Sequence, residues 1–188
     1  MPLPAATVDR KLLHTRRIVA EGFERADGLW DIDAWLTDVK NYGFPNRDRG
    51  EIKAGEPLHG MGLRITFDKD MTIRDAVAVT DFSPFRICGN ITPAFKKLIG
   101  LKIRPGFTRA VKEALGGVHG CTHLVELLGP VATTAFQTLA ARRFERMIHE
   151  KSEDRRERHP LIDSCHAWSA DGPIVEREYP AFFKGKQS

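Results

Sequence analysis

The densest group of reactive side chains lies in Gly116-Gly117-Val118-His119-Gly120-Cys121-Thr122-His123-Leu124-Val125-Glu126. Glycines let a backbone approach its surroundings closely and adopt positive φ. A helix starting near Thr122 would offer free N–H groups and the positive end of its dipole to Cys121. A thiol so placed loses its proton more easily and becomes a nucleophile. His123 can act as base, acid or ligand. Glu126 is expected in the first helical turn, where its charge suits the dipole. Together these residues form a candidate reaction or anion-binding centre. The structural alternative is an N-cap at Thr122, a buried Cys121 and a hydrogen-bonded His123.

A second constellation runs from Leu58 to Asp68. Arg64, Thr66 and Asp68 alternate onto one strand face, with His59 at its entrance. A cation, a hydroxyl and a carboxylate in a row could hold a polar substrate; a wet outer face is the alternative. The soft metal ligands are Cys88, Cys121, His123, Cys165 and His166. They contain no C-x-x-C pair, so zinc-finger spacing is absent. Zinc or an iron–sulfur cluster would require Cys88, Cys121 and Cys165, with His123, to converge from distant positions. An odd cysteine count at wide spacing gives no disulfide framework. Phosphate-binding glycine loops, the G-x-S-x-G elbow and H-E-x-x-H are all missing.

The elements that must position these residues are strands first and helices later. Pro2 and Pro4 keep residues 1–13 as an arm. The β-rich half covers 14–83. Ala26-Asp27-Gly28 marks a hairpin turn. After it, Trp30, Ile32, Ala34 and Leu36 share one strand face, and Asp31, Asp33 and Thr37 the other. Asn41–Gly62, rich in Gly, Pro and charge, reads as a long loop or lid. Leu63, Ile65 and Phe67 then begin a second hairpin, returning through Met71, Ile73, Val77 and Val79. Asp75 falls on that apolar register, which points to a bulge or edge position.

The helical half covers 91–158. Thr92-Pro93 starts a short helix stopped by Gly100, and Phe107, Val111 and Leu115 follow at helical spacing. A stripe from Leu124 to Phe144 repeats near 3.6 residues, with Gly129-Pro130 expected to kink or split it. The tail, 161–188, has the pattern of a last hairpin around Asp171-Gly172-Pro173. The three tryptophans are expected to pack the core or line a pocket. The expected class is α+β: one domain, 1–188, with an antiparallel sheet built from N-terminal β-hairpins and covered by C-terminal helices.

Bulk composition narrows the function. The chain has 188 residues, 41% hydrophobic and 29% charged, as in an ordinary globular protein. No apolar run approaches the roughly 18–20 residues that cross a bilayer. No secretory leader pattern opens the chain, so a cytoplasmic protein without membrane partners is expected. The formal charge is +4. Basic residues between Arg142 and Arg158 interleave with acidic ones, giving an ion-paired helix face rather than a nucleic-acid surface.

The chain resembles the bacterial domain-of-unknown-function family 2889. The resemblance rests on Glu21–Arg25 through Asp27-Gly28, on His59–Asp68, on Phe107–Leu128 with its Gly-Gly…Gly-Cys-Thr-His-Leu core, and on Asp163–Trp168. The family's association with bacteria that degrade aromatic compounds implies a catabolic enzyme. We therefore expect a small enzyme without organic cofactor, acting as a lyase or thioester-type hydrolase on a small aromatic or acyl intermediate. His59 or His123 would move protons. Arg64 would hold an anionic or phenolic oxygen, Asp68 would orient a partner, and Cys121 would line the site or attack. The alternatives are a metal-binding protein using the cysteines, and a non-catalytic interaction module, dimeric through its charged helix.

Overall fold

The computed structural model describes residues 3–143 and 157–185. The chain divides into two compact units, 1–139 and 140–188. The boundary falls inside a helix and no Pro- or Gly-rich linker marks it, which is why the sequence reads as one domain.

In the first unit β1 (His14–Glu24) and β2 (Trp30–Lys40) form the expected hairpin, with Gly28 at φ 81° in its turn. β3 (Phe44–Asn46) and β4 (Gly50–Ile52) form a small ribbon of their own, and β5 (Pro57–Phe67) and β6 (Ile73–Phe82) complete a four-stranded antiparallel sheet in the order β1-β2-β5-β6. A run of 3-10 turns (Arg86–Leu98) follows, then α1 (Phe107–Leu115) and α2 (Thr122–Arg143). The class is α+β.

The alternation in β2 buries Trp30, Ile32, Ala34 and Leu36. Met61, Leu63, Ile65 and Phe67 of β5 continue that inner face, and the helices press Phe95, Val111, Leu115, Leu124 and Leu127 against it. The sheet turns one face to the helices because period-two strands can hide only one set of side chains.

The expectations for the start of β5, for the inward register of β6 and for α2 meet different outcomes. Residues 57–62 belong to β5, not to a loop. A Cβ at Gly60 would meet the Phe82 ring at 2.8 Å, and one at Gly62 would meet the Trp35 ring at 2.8 Å. These glycines make room for outer-face aromatics, and that use mimics loop composition. The register slip opposite Thr66/Phe67 confirms a bulge near Asp75. Beyond it Ala76 is buried while Val77 and Val79 are exposed, so the inward register passes to the other set of residues. Gly129-Pro130 does not split α2, which runs through as one helix. There the Thr133 hydroxyl donates to the Pro130 carbonyl at 3.0 Å, and burial of Val131 and Ala135 anchors the turn. Most of the charged stretch expected to extend this helix lies outside the described residues.

In the second unit the tail forms no hairpin among the described residues. It forms 3-10 turns at His166–Trp168 and Pro180–Phe182 around a short helix, α3 (Pro173–Glu178). Pro173 sits at the helix start, where its fixed φ and missing N–H cost nothing, so Gly172-Pro173 opens a helix instead of turning a hairpin. Ile162, Ala170, Val175 and Tyr179 make a separate small core.

Gly120 fixes where α2 begins. An added Cβ would lie 2.2 Å from the backbone carbonyl oxygen of Leu115, at the end of α1. We expect Gly120→Ala to cost about 1–3 kcal/mol through this overlap, read from urea unfolding. An unchanged midpoint and slope would show that the α1–α2 junction yields freely.

Candidate active site

The inner-face alternation of β2 does not stop at Leu36. Its next member is Asp38, a carboxylate only 1% exposed. The buried register of β5 likewise ends at His59, the cross-strand partner of Asp38. On the other side, Arg16 of β1 is opposite Asp38, and His14 shares its face two residues earlier. Three neighbouring strands thus carry polar groups to the same end of one face. Antiparallel pairing puts opposite residues on the same side of the sheet, so these four side chains meet.

Asp38 accepts four hydrogen bonds. Arg16 Nε and Nη2 donate to its two oxygens at 2.8 and 2.7 Å. His14 Nε2 lies 3.0 Å from Oδ1, and His59 Nδ1 lies 2.9 Å from Oδ2. Burial alone would raise the Asp38 carboxyl, but the hydrogen bonds and charge of Arg16, with His59, outweigh it and hold the group at about 2. An ionised carboxylate only accepts, so the His59 proton belongs on Nδ1 and its Nε2 carries the free lone pair.

The first turn of α2 closes over this row. The Cys121 carbonyl accepts the opening helical bond from Val125 at 2.9 Å, making Cys121 the cap position and Thr122 the first helical residue. The His123 ring then lies 3.9 Å from the His59 ring, tilted by 32°. Burial pushes the His59 imidazole down, and the neighbouring His123 lowers it further against the pull of Asp38. Burial, then the Arg16 charge, lowers His123 as well. Both rings are therefore neutral at pH 7. Cys121 Sγ sits 3.9 Å from His123 Nδ1 and 3.9 Å from Met61 Sδ.

The expected residues part company here. His59, Cys121 and His123 come together. Glu126 joins them in a different role: it lies in the second helical turn rather than the first, and it pairs with Arg16 Nη1. Arg16 therefore links Asp38 to Glu126. Arg64 lies on the opposite face of the sheet, because five residues along a strand reverse the side on which a residue projects. It holds Asp33 through two hydrogen bonds, while Thr66 donates to Asp31 at 2.6 Å. Asp68 organises the β5–β6 turn, accepting from the backbone N–H groups of Asp70 and Thr72 and from Arg74. Cys88 is half-buried in the 3-10 run and Cys165 is exposed in the second unit. Among the described residues, the ligand atoms within 4.8 Å of one another are those of Asp38, His59 and His123, and no cysteine is among them. His14, Arg16 and Asp38 were missed by sequence reading. Carrying the β2 alternation one step past Leu36 would have exposed Asp38 as a carboxylate in an apolar register.

Beside this cluster, between α1 and α2, lies a cavity of about 720 Å³. Its walls are mainly apolar, with Ile103, Phe107, Val111, Leu128 and Phe136 prominent. Glu126 lines it and is bonded through Arg16 to Asp38.

These features define an α+β protein with a carboxylate–imidazole cluster buried beneath a helix start. The model of the family described as a protein of unknown function, DUF2889, matches residues 14–137, and the chain belongs to that family. The matched span holds every residue of the cluster, and Asp163–Trp168 lies beyond it. Neither a search of curated proteins nor one of solved structures finds a match.

The titrations give a signed prediction. His59 and His123 both prefer the neutral form when folded, so stability should fall once the pH drops below about 6.5, where unfolded histidines gain protons. Asp38 contributes stability above the ordinary carboxylate range and loses it as the pH falls from about 4 to about 2. Asp38→Asn should cost about 3 kcal/mol at pH 7 and flatten the lower limb. Urea midpoints across pH, with NMR titration of both imidazoles, check this; an ordinary or raised histidine pKa would contradict it.

Proposed function

We propose that this protein is a small enzyme in which His59, oriented by Asp38, acts as general base and His123 exchanges protons beside it. The carrying observation is the 2.9 Å bond from His59 Nδ1 to Asp38, which leaves Nε2 unprotonated next to the His123 ring. A histidine neutral at pH 7 and locked in one tautomer by a carboxylate ionised at that pH suits proton abstraction.

The reaction class that fits is lyase or thioester-type hydrolysis of a small aromatic or acyl compound, without organic cofactor. In hydrolysis, His59 takes a proton from water, the hydroxide adds to the acyl carbon, and the carbon–sulfur bond breaks. The departing thiolate recovers the proton from the imidazolium, leaving the acid as product. The apolar cavity offers space for the acyl or aryl body. Cys121, 3.9 Å from His123 Nδ1, lines the histidine cluster or attacks in place of water. A cytoplasmic setting goes with three free cysteines.

One observation favours a second reading. The ligand atoms of Asp38, His59 and His123 are close enough to share a small cation. Both imidazoles are neutral and can ligate. Against it, Asp38 would have to give up bonds to Arg16 and His14, and the Arg16 charge would repel the ion.

Turnover of aryl and acyl thioesters tests the first reading. His59→Gln should lower kcat by about 100-fold or more, and the acid-side decline of wild-type kcat/KM should fall below the ordinary histidine value of about 6.5, because burial holds the His59 imidazole lower. Full turnover in His59→Gln would exclude His59 as the base. Cys121→Ser separates nucleophile from lining residue, since only a nucleophile's loss abolishes turnover. Zinc titration decides the second reading: stoichiometric binding that His123→Ala removes supports it, and no binding at micromolar zinc rejects it.

A further inference from the structure

The cavity between α1 and α2 has a chemical polarity that the general-base reading does not use. Its walls are apolar, yet Arg104 and Lys112 line it as exposed cations, and neither makes an ion pair among the described residues. The one carboxylate in the lining, Glu126, is already paired with Arg16. The surplus charge facing the hollow is therefore positive.

Gly129 makes a second, independent observation. It lies in the middle of α2 and lines the cavity, and a Cβ there would meet nothing within 4 Å. A mid-helix glycine costs roughly 0.5–1 kcal/mol relative to alanine. It spares the clash that a Cβ in helical backbone would make with the ring of Pro130, and it leaves the wall of the cavity open.

We propose that this cavity binds an amphipathic carboxylate: an apolar acyl or aryl body lying along Phe107, Val111, Leu128 and Phe136, with its anionic end at Arg104 and Lys112. The volume, about 720 Å³, falls in the range of small-molecule sites. The identification of this ligand as substrate or product rests on the general-base reading; the binding itself does not. A carboxylate is the product that thioester hydrolysis would release.

Calorimetric titration with decanoate, 2-naphthoate and decanol tests the proposal on the full chain. Wild type should prefer the carboxylate to the alcohol of equal length by about tenfold or more in Kd, and comparison of decanoate with 2-naphthoate tells a chain-shaped body from a ring-shaped one. Arg104→Glu with Lys112→Glu should erase that preference while decanol binding stays. Gly129→Phe should fill the hollow and abolish binding of all three, while Gly129→Ala, which places the same Cβ before Pro130 but takes little space, should keep it. His59→Gln should bind decanoate as wild type does, so a failed general-base reading leaves this result standing. Equal affinity for decanoate and decanol, no binding of either, or undiminished binding in Gly129→Phe would overturn the proposal. So would a concentration-dependent dimer in light scattering that Gly129→Phe dissolves, since the cavity would then be an interface between copies of this chain.

Discussion

A carboxylate placed in the apolar register of a central strand is the constraint around which this unit is arranged. An isolated buried charge costs several kcal/mol, and only a full set of donors makes it tolerable. Asp38 receives that set from both neighbouring strands: Arg16 and His14 from β1, His59 from β5. The pairing of β1 with β2 is thereby tied to chemistry as well as to hydrophobic pattern. A slip of one residue between β1 and β2 would turn Arg16 outward and leave the carboxylate with His59 alone.

The same arrangement sets the protonation of everything near it. Asp38 stays ionised, fixes the His59 tautomer and cancels much of the Arg16 charge. Burial under the first turn of α2 keeps both imidazoles neutral. Gly120 allows that turn to begin hard against the end of α1, which brings His123 over His59. Arg16 then reaches Glu126, whose own side chain borders the apolar cavity. A polar cluster and an apolar hollow are thus joined through one guanidinium.

Parts of this were legible from residue order alone. The hairpin around Asp27-Gly28, the alternation of β2 and the helix ending at Leu115 follow from local rules of turn chemistry and periodicity. The pairing of Cys121 with His123 was legible too, because two residues across a helix start stay close in any fold. Arg64 and Asp68 looked like partners of His59 because they are near in sequence, but strand parity places Arg64 behind the sheet and a turn takes Asp68. The glycines of β5 resembled a loop because composition does not reveal that a ring from another strand needs the space.

What residue order determined is the set of local elements, the α+β class and the coincidence of thiol, imidazole and glycine before α2. Those are encoded within a dozen residues at a time, at the scale of a turn or a period. Only the tertiary structure decided that Asp38 and His59 face each other, that Arg16 joins them, and that His123 comes to rest over His59. Such meetings depend on strand register and on where a helix lands on a sheet. Both are set by the packing of residues far apart in the chain, which no local pattern records.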